Sequence, residues 1–253
     1  MMRKINFSYI IVLFLLLATS ALAWSQNRPA SNANKRRITV EKPDLDDIRE
    51  KTLDPKSQFY FPKLMKKYTR NDTVMTNEEY RYFYLGYMFQ EDYDPYRRSP
   101  YSDITDELRL KSSPADTIRK YAELSLQDNP FDLRQMSYLV QVLKEKRKDM
   151  SAKIWEYRLE HLLGAIKSTG TGEDPDNAWY VIYPVHEYDI IKLLGYEATD
   201  VDFVEPAIDY LKVRPDEETQ RRLKDKAAKG FYFNVVIPTE QYILKHPESV
   251  EES

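Results

Sequence analysis

The sequence predicts a mainly helical α+β fold, with amphipathic helices first and a small antiparallel β-sheet after them. Apolar residues recur at helical spacing between residues 61 and 166, Gly170 and Gly172 interrupt that period, and short aromatic or β-branched runs follow. Only 6 glycines stand against 20 tyrosines, a balance that suits packed helices whose rings keep their polar tips at the margin of the core.

Phe61, Leu64, Met65 and Tyr68 fall at i, i+3, i+4 and i+7, and Pro62 fits the first turn of the helix they define. Thr76-Asn77-Glu78-Glu79 then forms a capping box before Tyr80, Phe83, Tyr84, Tyr87 and Met88. Ser113-Pro114-Ala115-Asp116 starts a further helix, in which Ile118, Tyr121, Ala122 and Ser125 share a face. Asn129-Pro130 separates it from a stripe of Leu133, Met136, Val140 and Leu143. Beyond the charged residues 144–148, a last long helix buries Ile154, Trp155, Leu159, Leu162, Leu163 and Ile166. After the glycines, residues 178–183, 187–194, 207–213 and 231–237 read as strands, the first of them also able to pack as one helical turn. Residues 216–229 are charged and helix-prone up to Gly230, and read as an exposed helix or a long connection.

Ahead of these elements, Arg3 and Lys4 precede an apolar run from Tyr9 to Leu17 that ends in Ala21-Leu22-Ala23. This is the pattern of a secretory signal peptide cleaved after Ala23, and the run falls short of the ~20 apolar residues of a spanning anchor. The chain therefore divides into a signal peptide (1–23), a flexible polar leader (24–37) with the basic cluster Lys35-Arg36-Arg37, a helical region (38–169) and a β-rich region (170–253).

The expected product is periplasmic or secreted and has no membrane insertion after cleavage. With 0 cysteines it has no disulfide, no thiol nucleophile, no cysteine metal site and no lipid-anchoring cysteine. Its 41 acidic residues outnumber 38 basic ones, two of which leave with the signal peptide, so there is no global attraction to nucleic acid.

Tyr121-Ala122-Glu123-Leu124-Ser125-Leu126-Gln127-Asp128-Asn129-Pro130-Phe131-Asp132 resembles the junction of tetratricopeptide repeats, which stack helix pairs every ~34 residues. At that offset Tyr121 falls on Trp155, while Leu124 and Leu126 fall on Arg158 and Glu160, so the resemblance is to a degenerate repeat. Three blocks resemble an exported Bacteroidota family known as domain of unknown function 4919, over roughly residues 38–245. They are Glu79-Tyr80-Arg81-Tyr82-Phe83-Tyr84-Leu85-Gly86-Tyr87 with residues 90–97, Asn129-Pro130-Phe131-Asp132, and Ala178-Trp179-Tyr180-Val181-Ile182-Tyr183-Pro184-Val185-His186-Glu187-Tyr188. The resemblance implies export and fold, and assigns no activity. For such a source, Asp72-Thr73-Val74 resembles an acceptor for periplasmic O-glycosylation at Thr73. Asp116-Thr117-Ile118 matches too but lies in an expected first helical turn, and Asn71-Asp72-Thr73 fits a eukaryotic N-glycosylation acceptor.

Two clusters carry candidate chemistry. The loop from Gln90 to Arg98 sets Asp92, Asp94, Arg97 and Arg98 among Tyr93 and Tyr96, a mixture able to bind glycan or peptide, and equally able to satisfy a long loop's own backbone. His186 has Glu187 and Asp189 close by, with Asp174 and Asp176 in the preceding turn, as an acid–base or metal site would require. The spacing matches neither a zincin nor an EF-hand, and a strand would send His186 and Glu187 to opposite faces. No Gly-x-Ser-x-Gly turn is present, and Gly170-Thr171-Gly172-Glu173 lacks the lysine of a phosphate loop. The expectation is a non-enzymatic interaction module without cofactor or metal, its partner an unknown protein or glycan. The alternative is a hydrolase-like enzyme using His186 with those carboxylates. A binder should expose an aromatic-lined groove, whereas burial of His186 against backbone carbonyls would remove the enzymatic alternative.

Overall fold

The computed structural model of the chain describes residues 40–70, 75–111 and 113–247. The expected signal peptide with its cleavage after Ala23, the expected leader and the acceptor-like Asn71-Asp72-Thr73-Val74 lie outside the described residues.

Helix α1 (Leu45–Leu53) opens on Asp44, whose carboxylate accepts from the Asp47 N–H at 3.0 Å. Helix α2 (Phe61–Thr69) buries Phe61, Leu64 and Tyr68 along the expected stripe. Helix α3 (Asn77–Gly86) starts at the capping box with both halves formed: Glu79 N–H donates to Thr76 Oγ1 at 3.1 Å, and Thr76 N–H to Glu79 Oε2 at 2.9 Å. Such a box satisfies two N–H groups that the first turn would otherwise leave unpaired. Tyr80, Tyr82, Phe83, Tyr84 and Leu85 are all buried, so α3 past its charged first turn is covered on nearly every side and packs deep in the core.

Helices α4 (Pro100–Leu110), α5 (Ala115–Asp128), α6 (Leu133–Glu145) and α7 (Asp149–Lys167) each pack on the next, and α7 returns to α3. The starts of α4 and α6, and of α5 and α7, are offset by close to the ~34 residues of a tetratricopeptide unit. Periodicity does not announce α4, because Ser102 and Thr105 stand at its buried positions where apolar residues would be expected. Its signal is Ser99, which caps the helix through Tyr101 N–H, followed by Pro100 at the first position. Thr117 sits in the first turn of α5, as its sequence implies.

Past Gly170 the chain builds a sheet of β1 (Trp179–Tyr180), β2 (Tyr196–Val204), β3 (Ile208–Pro215) and β4 (Gly230–Asn234) in the order β1-β4-β3-β2. The β3–β4 pair is antiparallel as expected, and β3 also pairs antiparallel with β2, a strand the sequence does not announce, whereas β1 lies parallel to β4 and makes the sheet mixed. One expected strand is corrected: residues 187–194 fall largely in helix α8 (Val185–Leu193). Because α8 buries His186, Glu187, Asp189, Ile190 and Ile191, burial on several sides erases the helical period and leaves a β-branched run that imitates a strand.

The opposite error conceals β2. Seven consecutive residues of this edge strand are exposed, so it shows no alternation, and Arg214–Glu197 and Lys212–Asp200/Asp202 ion pairs join it to β3. Helix α9 (Glu217–Leu223), capped by Asp216 through Thr219 N–H at 2.7 Å, accounts for the charged stretch, and α10 (Val236–Lys245) closes the chain. Phe131, between α5 and α6, joins the layers: its ring lies 4.8 Å from Phe83 and 5.0 Å from Tyr87.

Candidate functional site

His186, in the first turn of α8, is 1% exposed and both its ring nitrogens are engaged. Nε2 lies 3.0 Å from the Phe131 carbonyl, which can only accept, so Nε2 carries the proton and Nδ1 is an acceptor. Tyr84 Oη, 2.7 Å from Nδ1, must therefore donate, and itself accepts from Ile182 N–H at 3.2 Å. The relay runs in one direction, Ile182 N–H to Tyr84 O–H to His186 to Phe131 O, and closes only with neutral imidazole. Burial pulls the histidine down to about 3, against a rise from its bond to Phe131.

Asp189, one turn further on and 5% exposed, binds Arg134 Nε at 2.8 Å, while Arg134 Nη1 holds Asp106 at 3.1 Å. Burial raises the Asp189 carboxyl to about 6, outweighing the lowering by Arg134. Glu187 points elsewhere, to Asp209 on β3, and burial first, then Asp209, pushes it up to about 9. Asp174 caps the turn at residues 175–177 through Asn177 N–H at 3.0 Å, and Asp176 is exposed. The sequence neighbours of His186 thus diverge.

In the other cluster, Tyr93 is buried and its hydroxyl donates to the Ile182 carbonyl. Asp94 accepts from Tyr96 N–H at 2.9 Å, exposed Asp92 stands 3.8 Å from Arg97, and Tyr96 meets the Tyr242 ring edge-on at 5.0 Å. Arg97 binds Asp128 at 3.0 Å and Arg98 binds Asp103 at 2.5 Å. Arg97 and Arg98 share a polar cleft with His186 and Asp189, a meeting of the two clusters that linear order does not show. That cleft has about 30 Å³ of room, enough for one water molecule. No group of three or more His, Cys, Asp or Glu able to hold a metal occurs among the described residues.

A larger recess opens where the end of α7 meets the sheet. It encloses about 420 Å³ and is lined by Trp179 of β1, Tyr196 of β2, Phe231 of β4, Leu194 after α8 and Leu223 of α9, with Lys167, Thr171 and Arg222 at its polar positions. No carboxylate lines it. Trp179 and Phe231 stack at 5.2 Å, Tyr196 meets Phe231 edge-on at 5.4 Å, and Trp179 Nε1–H donates to Gly170 O at 2.9 Å. The groove escapes sequence reasoning because its walls come from distant segments; the aromatic run at residues 178–183 is its one visible trace.

Gly172 backs this wall with φ at +71°, and a Cβ there would stand 2.9 Å from the Trp179 ring. Gly172→Ala should therefore cost about 1–2 kcal/mol in urea unfolding, from left-handed backbone strain plus the ring contact. A loss no larger than the ~0.5 kcal/mol of an ordinary surface change would contradict this close approach.

A family model described as domain of unknown function (DUF4919) matches residues 46–243. The chain belongs to the DUF4919 family. No curated protein and no solved structure matches it. Both the polar cleft and the aromatic groove of this DUF4919 protein fall within the matched span. No helix among its described residues is long and apolar enough to cross a membrane.

Proposed function

We propose that this DUF4919 protein is an exported, non-enzymatic interaction module that binds a protein or glycan partner in the periplasm through the groove at Trp179, Tyr196 and Phe231. In this reading a degenerate tetratricopeptide-like helix array is the scaffold and the sheet supplies the binding face. The observation that carries it is an open recess of about 420 Å³ with apolar and aromatic walls, the size of a site for several side chains. The hydrolase-like alternative has less to work with, because His186 spends both nitrogens inside the core and its cleft accepts little more than a water.

Thr171 is exposed at the mouth of the groove, so Thr171→Trp fills the entrance without disturbing the core. A tagged mature chain should capture a partner from periplasmic extract, and T171W should lose it at unchanged Tm. Equal capture by the variant would place binding elsewhere on the molecule.

A further inference from the structure

The groove's charges and the packing of its rings narrow the partner further, on the premise that this groove is the binding site. We infer that its ligand is an acidic peptide segment, with an apolar side chain entering between Leu194, Leu223 and Phe231 and carboxylates meeting Lys167 and Arg222.

Sugar recognition by stacking needs an open aromatic face, and the faces here are taken. One face of Trp179 lies on Phe231, and the Gly172 backbone crowds the ring as well. Tyr196 turns its edge to Phe231 and uses its hydroxyl to accept from Ala228 N–H at 3.2 Å. The remaining apolar surface comes from the half-buried Leu194, Leu223 and Phe231, a shape for inserted side chains.

The electrostatics select the partner's sign. Lys167 is half-buried, and among the described residues its ammonium group has neither an ion pair nor a hydrogen bond. Loss of hydration lowers its pKa, with no carboxylate to compensate. Its place in the last turn of α7 is favourable to a cation, but a last-turn lysine extended into water would gain that interaction without desolvation. Arg222 forms no ion pair within 4.0 Å among the described residues, and Asp216, whose carboxylate feels its charge, is already committed to capping α9. Two cations beside an apolar recess with no acidic lining leave the negative charges to be supplied by the ligand.

The test is a hexapeptide array in which Leu or Phe stands beside Asp, Glu, Asn, Gln or Lys, probed with the mature chain, T171W and Arg222→Glu, with soluble oligogalacturonate as a separate probe. Acidic peptides should bind at least tenfold more tightly than their amide counterparts, R222E should reduce that preference at least fivefold, and T171W should bind none. Equal binding of acidic and amide peptides, or binding of oligogalacturonate alone, overturns the acidic-peptide inference while T171W sensitivity still supports the groove. Binding that T171W does not weaken overturns the groove itself, and so does an array with no peptide or oligogalacturonate bound together with partner capture that T171W leaves intact. If T171W abolishes capture but no acidic peptide binds, the groove stands and the acidic-peptide inference falls.

Discussion

Tyr84→Phe should destabilise the protein by about 3 kcal/mol at pH 7.5, an unusually large effect for removing one oxygen atom. That oxygen serves two partners at once, taking the Ile182 N–H and giving its proton to His186 Nδ1, in a region where Tyr84 and His186 are nearly inaccessible. Phenylalanine keeps the ring and strands both partners, and each buried orphan costs about 1–3 kcal/mol. At pH 7.5 the imidazole is neutral both folded and unfolded, so its titration adds nothing to the comparison. Below pH 6.5 the unfolded chain takes up a proton that the folded histidine, lowered to about 3, refuses, and stability from His186 falls through that window. Urea unfolding followed by far-UV circular dichroism measures the difference. A loss under about 0.5 kcal/mol would show that the relay through Tyr84 is not made.

Glu187→Gln should have little effect near pH 4.5 and stabilise the protein at alkaline pH. Glu187 is 1% exposed and, in its buried surroundings beside Asp209, its carboxyl is raised to about 9 from an ordinary 4.5. A folded-state value above the unfolded one means that the folded chain holds a proton the unfolded chain has released. The associated stability is complete below pH 4.5 and drains away as pH climbs through about 9. Glutamine offers Asp209 a permanent N–H donor and cannot ionise, so the variant escapes this loss. At ~1.4 kcal/mol for each tenfold difference in proton affinity between the folded and unfolded chains, the rise from 4.5 to about 9 sets an upper bound of roughly 6 kcal/mol on the gain over wild type at pH 9. Thermal melts between pH 4.5 and 9 test the slope. Parallel curves for the two proteins would mean that Glu187 releases its proton at an ordinary pH despite its burial.

His186 and Glu187 are adjacent in sequence and oppose each other in pH dependence. In a strand they would face opposite sides of the sheet. In α8 they lie one helical step apart, which turns His186 toward α3 and Phe131, and Glu187 toward β3. The sequence marks His186 as notable for its carboxylate neighbours, but its actual partners are a tyrosine hydroxyl and a backbone carbonyl far away in the chain. The candidate loop is legible in a similar partial way: Asp92, Asp94, Arg97 and Arg98 are visible as charges, while their engagement with Asp128, Asp103 and local backbone depends on α4 and α5.

The sequence by itself determined the helical stripes, the capping box at Thr76, the change of period past Gly170 and membership of the DUF4919 family. The stripes, the cap and the change of period are signals of short range, written within one or two turns of chain, where hydrogen bonds and side-chain spacing are set by close neighbours. Only the tertiary structure decided that α8 is a helix, that β1 runs parallel to β4, that His186 is neutral core and that a groove opens beside Trp179. Each of those outcomes depends on which distant segment removes water from a given side chain, and desolvation is a property of the assembled fold that no local pattern of residues encodes.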